Sequence, residues 1–138
     1  MTNINVLENQ ISEVKKYLTI VGRYAKLSRR AIEDDINLRG AAERYLYLVC
    51  QALIDLAESY IAFRNFRKPG SMSEIFYILE EEKVIAAKMR EKMVNMVGFR
   101  NYLAHDYGKI DYEIVEDVLT NGLKDIQQFC RTIGGKIE

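Results

Sequence analysis

Apolar residues recur at alternating steps of three and four along almost the whole chain, and no stretch alternates with period two. An α-helix returns to the same face every 3.6 residues, so this spacing calls for amphipathic helices, and without strand alternation there is no sheet for them to cover. Ile4, Leu7, Ile11, Val14, Leu18, Val21 and Ala25 fall along one seam of a long first helix. The phase changes between Leu27 and Leu38, which predicts a bend or a second turn, with Gly40 as its stop. From 41 to about 66 the seam of Ala42, Leu46, Val49, Leu53, Leu56, Tyr60 and Ile61 contains neither glycine nor proline. Pro69, the only proline, with Gly70 is expected to end this helix, and Arg64, Arg67 and Lys68 suit its negative pole.

Ser71 followed by Glu74 reads as a capping box for a short helix through Ile75, Phe76 and Leu79, closed by the polar stretch ending at Lys83. A further helix is expected from about Val84, with Ile85, Met89, Met93, Met96, Val97, Arg100 and Leu103 on one stripe and Gly108 as its stop. Ile110-Asp111 then supplies a hydrophobic residue and an N-cap for a last helix through Ile114, Val118, Ile126, Phe129 and Cys130, before a frayed tail at Gly134-Gly135. The expected fold is all-α, a helical bundle of four to five helices with short connections.

At 138 residues with about half of them hydrophobic, the chain fits one domain over 1–138. Twenty acidic and twenty basic residues leave no net charge, which argues against coating a duplex and confines phosphate binding to a local patch. Cys50 and Cys130 lie in apolar helical segments without CxxC or Cys/His spacing, so no metal site and no cofactor are expected. The N-terminus lacks a signal-peptide layout and no apolar run approaches the roughly 20 residues of a span, so a cytoplasmic protein without membrane contact is expected.

His105 is the only histidine, and within eight positions Arg100, Asn101, His105 and Tyr107 combine a guanidinium, a carboxamide, an imidazole and a phenol. At about 100° per residue, Arg100 and Tyr107 continue the methionine stripe, whereas His105 is turned roughly 140° from Arg100 and shares its side with Asn101. One regular helix therefore cannot aim both groups at one phosphate, and a second copy, stacked stripe to stripe about a two-fold axis, is the simplest source of the missing group. Lys83, Lys88, Arg90 and Lys92 make the approach basic. Such a set can cleave RNA without a metal: one imidazole takes the 2′-hydroxyl proton, arginine stabilises the phosphorus oxygens, and an imidazolium protonates the leaving 5′-oxygen. The plainer reading makes His105 a favourable charge at a helix end, pairs Arg100 with a carboxylate such as Asp106, and puts the methionines in the core. Gln51, Asp55 and Glu58 form a polar strip read as a solvated face, with orientation of the motif by Asp55 as the alternative.

Arg100-Asn101-Tyr102-Leu103-Ala104-His105-Asp106-Tyr107 resembles the Arg-x4-His-x-Tyr motif of the HepT-like branch of the HEPN superfamily, complete at its motif positions. Glu43-Arg44-Tyr45-Leu46, the lead-in from Met93 to Phe99 and Ile110-Asp111 are in the same style, so the likeness covers roughly residues 4 to 130. It implies a single dimeric HEPN domain, the endoribonuclease toxin of a toxin–antitoxin pair, with Arg100, Asn101 and His105 as the ribonuclease site in the dimer cleft. It also implies a minimal nucleotidyltransferase antitoxin as partner, with Tyr107 as the residue that accepts AMP. The alternative within the superfamily is a non-catalytic nucleotide-binding or scaffolding module.

Overall fold

The computed structural model describes residues 3–106 and 108–137, and these form helices joined by short turns. Four helices carry the bundle: α1 (Ile4–Tyr24), α3 (Ile36–Phe63), α5 (Ala87–His105) and α7 (Leu123–Gly134). Shorter pieces, α2 (Arg29–Glu33), α4 (Met72–Glu81) and α6 (Tyr112–Asp117), fill the connections. α3 lies at the centre, packed by α1 on one side and by α4 and α5 on the other, and α7 closes the bundle against α1 and α5. Among the described residues no strand occurs.

Caps set the element ends. The Asn3 and Ser28 side chains accept from Val6 and Ala31 N–H, which starts α1 and α2. α3 begins before Gly40, which lies inside it rather than stopping a helix, because the Asp35 carboxylate accepts from both Asn37 and Leu38 N–H. The same helix ends before Pro69. Asn65 takes a left-handed conformation (φ 57°), Phe66 N–H donates to the Ile61 carbonyl at 3.0 Å, and Asn65 N–H donates to the Ala62 carbonyl at 3.2 Å. Lys83 (φ 61°) closes α4 in the same way, with Val84 N–H on the Leu79 carbonyl. Asparagine tolerates this region and lysine less so; both are held by the pair of returning backbone bonds. α5 starts at Ala87, three residues after the expected Val84, because Val84 and Ile85 are buried in that turn.

Ser71 caps α4 as expected, accepting from Glu74 N–H, while Glu74 reaches back to Gly70 N–H instead of completing the box on Ser71. Asp111 caps α6, accepting from Glu113 N–H. The expected single last helix is interrupted by a π turn at Val118–Gly122. A Cβ on Gly122 would meet Met96 Cε at 2.8 Å and Val118 Cγ1 at 3.1 Å, so the glycine lets this turn approach α5. The tail is not simply frayed, since Ile137 is buried.

α3 is long and apolar enough to cross a membrane, contrary to the expectation that no run approaches that length. Its apolar residues have another destination: Leu46, Val49, Leu53, Leu56, Ala57 and Tyr60 are fully buried in the bundle. The methionine stripe has the same fate. Met93 is fully buried, and Met89 and Met96 face the core as well, so the stripe is not available to join two copies. That corrects the expected stacking of stripes; the periodicity is a core signature.

Phe76 and Phe129 meet edge to face in this core, ring centres 5.6 Å apart. Phe129→Ala is expected to lower unfolding free energy by about 3–5 kcal/mol, measured by urea denaturation. Burial pushes the Cys50 thiol from its ordinary 9.0 up to about 12, against an opposing pull from Arg100. The unfolded thiol loses its proton first as pH rises, so the stabilisation is complete below about pH 9 and is lost toward pH 12. The urea midpoint should therefore fall across that range, and Cys50→Ala should make the fall shallower.

Candidate functional site

α5 remains a regular helix to its last turn, where Asp106 N–H donates to the Tyr102 carbonyl at 2.9 Å. The chain then turns through Gly108, whose φ of +87° disfavours any other residue, and Lys109 N–H closes on the Asp106 carbonyl. Tyr102 holds the return: its hydroxyl accepts from Asp111 N–H at 2.8 Å, tying the start of α6 to α5. Because the helix does not unwind, Arg100 and His105 keep the angular separation their spacing dictates.

Arg100 is half-buried between α5 and the outer strip of α3. Its Nε donates to Gln51 Oε1 at 2.9 Å, Nη2 to the Tyr47 hydroxyl at 2.9 Å and Nη1 to Asn101 Oδ1 at 2.9 Å. The guanidinium carbon also lies 5.0 Å from the centre of the Tyr47 ring. All three acceptors are neutral, and among the described residues no carboxylate forms an ion pair with Arg100, including Asp106. Three of its five N–H groups are taken among the described residues.

His105 ends α5 with its side chain exposed and makes no hydrogen bond among the described residues. Asn101, grouped with His105 by helix arithmetic, spends its side-chain carbonyl on Arg100, so the structure brings Arg100 and Asn101 together and leaves His105 apart. Tyr107 lies outside the described residues.

Two of the four residues expected to make the approach basic are engaged in ion pairs, Arg90 with Glu80 at 2.8 Å and Lys92 with Asp125 at 3.2 Å. Basic groups beside the motif include Arg100 itself, Lys109 in the turn that follows, and Arg44, whose guanidinium sits 5.6 Å from the Tyr47 ring centre. A groove of about 400 Å³ runs there between α3 and the end of α5, lined by Gly40, Glu43, Arg44, Tyr47, Leu103 and Ala104. At its far side Tyr112 donates to the Glu43 carboxylate, and burial, reinforced by that contact, pushes the Tyr112 phenol far above its ordinary range.

Tyr47 was not singled out from the sequence, Arg44 entered only within the stretch Glu43–Leu46 that carries the resemblance, and Gln51 and Asp55 were read as a solvated face, with orientation of the motif by Asp55 as the alternative. Residues 44, 47, 51 and 55 stand at steps of three, four and four, which is the signal that places them on one face of α3.

The family model described as ribonuclease HepT-like matches residues 7–133. The mRNA nuclease HepT of Shewanella oneidensis is 26% identical over 130 residues, covering 94% of this chain and 96% of that protein. The tRNA nuclease HepT of Aphanizomenon flos-aquae is 24% identical over 135 residues, covering 96% and 92%. Among solved structures, the tri-AMPylated Shewanella oneidensis HEPN toxin in complex with MNT antitoxin superposes with a TM-score of 0.85 at 25% identity, over 94% of this chain and 97% of that one. With the matched model spanning α1 to α7 and the fold shared along the whole helical bundle, the chain belongs to the HepT-like ribonuclease family.

Proposed function

We propose that the chain, as one HEPN domain over residues 1–138, is the metal-independent endoribonuclease toxin of a cytoplasmic toxin–antitoxin pair, with Arg100, Asn101 and His105 as its site. The observation that carries this reading is the state of Arg100: a guanidinium fixed by three neutral acceptors, with one N–H on each terminal nitrogen uncommitted among the described residues, keeps its charge for an anion. RNA is the class of anion proposed here, by analogy with relatives named as mRNA and tRNA nucleases.

In this mechanism the His105 imidazole removes the proton from a ribose 2′-hydroxyl, and the 2′-oxygen attacks the adjacent phosphorus. Arg100 stabilises the charge that develops on the non-bridging oxygens. The bond from phosphorus to the 5′-oxygen breaks, and an imidazolium gives that oxygen its proton. The products are a 2′,3′-cyclic phosphate and a 5′-hydroxyl. Since α5 is regular through His105, Arg100 of one copy and His105 of another meet the same phosphate in a homodimer. With the methionines buried, the joining surface lies at the C-terminal end of α5 and the outer strip of α3, along the groove beside Arg44 and Tyr47.

A nucleotidyltransferase antitoxin is the proposed partner, by analogy with the AMPylated toxin and its MNT antitoxin. Transfer of AMP from ATP to the Tyr107 hydroxyl, with release of pyrophosphate, adds bulk and negative charge next to the cleft and blocks RNA by sterics and repulsion.

Arg100→Ala and His105→Ala are each expected to abolish RNA cleavage and growth inhibition while sedimentation still shows a helical dimer. Unmodified wild-type protein that neither cleaves RNA nor inhibits growth would falsify the reading. Co-expression with a nucleotidyltransferase should place AMP on the peptide that contains Tyr107, as read by mass spectrometry. Transfer to another residue, or none, overturns the proposed inhibition.

A further inference from the structure

The acceptors around Arg100 are themselves ordered from behind. Gln51 Nε2 donates to Asp55 Oδ1 at 2.8 Å, one turn further along α3. An ionised carboxylate only accepts, so Asp55 can be met only by the amide nitrogen of Gln51. That choice turns the Gln51 carbonyl toward Arg100; the reversed amide would set N–H against N–H and lose both contacts. Tyr47, one turn before Gln51, supplies an acceptor hydroxyl and a ring face to the same guanidinium. On regular α3 Tyr47, Gln51 and Asp55 stand on one strip, so one helix carries this part of the support, beside Asn101 on α5.

The identity of the middle residue matters electrostatically. A glutamate at 51 would hold the guanidinium firmly and offset its charge at the same time. Glutamine holds it with a dipole and keeps the negative charge of Asp55 one side chain away, so that the positive charge stays available to a phosphate. We infer that Tyr47, Gln51 and Asp55 form a positioning array for Arg100, in which Gln51 relays the orienting effect of Asp55 without its charge. This rests on the ribonuclease reading above. None of these residues touches the scissile group; they act through Arg100.

The test compares Gln51→Glu and Asp55→Leu with the wild-type dimer in single-turnover and steady-state RNA cleavage, with Arg100→Ala as the reference for complete loss. Gln51→Glu keeps an acceptor for Arg100 but loses the donor to Asp55 and sets two carboxylates together, so a merely structural role predicts a lowered melting temperature with wild-type rates per folded dimer. Per folded dimer, the positioning array predicts a kcat lowered by about 10- to 100-fold in Gln51→Glu and by about tenfold in Asp55→Leu. The Arg100 Nε–H resonance, assigned by its loss in Arg100→Lys, should be protected in wild type and exchange faster in Asp55→Leu. Both kcat values within about twofold of wild type, or an unaltered Arg100 resonance in Asp55→Leu, would overturn this inference alone. Inactive wild-type protein would overturn the ribonuclease reading and the inference with it.

Discussion

The contact on which the site depends is the crossing of Arg100 from α5 to the outer strip of α3, where Gln51, Tyr47 and the adjacent Asn101 hold it. Hydrogen bonds from a charged donor contribute about 1.5–3 kcal/mol each, so three neutral acceptors suffice to fix a half-buried guanidinium. A carboxylate at 4 Å would attract it by about 4 kcal/mol at the effective dielectric of a protein surface, and an incoming phosphate would have to compete with that attraction. The arrangement therefore keeps Arg100 rigid and its charge uncompensated, which suits stabilisation of charge that appears only during reaction.

The core makes this possible. α3 carries a nearly continuous buried face toward α1 and α4, and its remaining strip bears Arg44, Tyr47, Gln51 and Asp55. α5 divides in the same way, with Met89, Met93, Met96 and Leu103 turned inward and His105 exposed at its end. Regular hydrogen bonding to the last turn of α5 keeps Arg100 and His105 on different faces, and the Tyr102–Asp111 contact anchors the chain where it leaves the helix. Separation of the two groups within one copy is what gives a second copy a chemical role in the proposed mechanism.

Much of this was legible in the sequence because it follows from spacing. The seams of α1 and α3, the Ser71 and Asp111 caps and the angle between Arg100 and His105 all come from local rules. What was misread depended on tertiary contacts. Gly40 and Pro69 are generic stop signals, but Asp35 and the returning backbone bonds at Asn65 fix the real ends of α3. The π turn exists because Gly122 meets Met96, a pairing between distant segments that no local pattern announces. The methionine stripe could be read from the sequence as core or as a partner surface, and the choice falls to core only with α3, α4 and α7 packed around α5. Gln51 and Asp55 were noticed as a polar strip with orientation of the motif by Asp55 as an alternative, but the route through Gln51 to Arg100 required knowing which face of α3 meets α5.

The central claim is that a held arginine and an imidazole cleave RNA by attack of the ribose 2′-oxygen. Its most direct measurement is the chemistry of the cut ends after incubation of RNA with the unmodified protein in a chelating buffer. The account predicts 2′,3′-cyclic phosphate on one fragment and 5′-hydroxyl on the other. Cutting that instead leaves 3′-hydroxyl and 5′-phosphate, or that occurs only when a divalent metal is supplied, would contradict it.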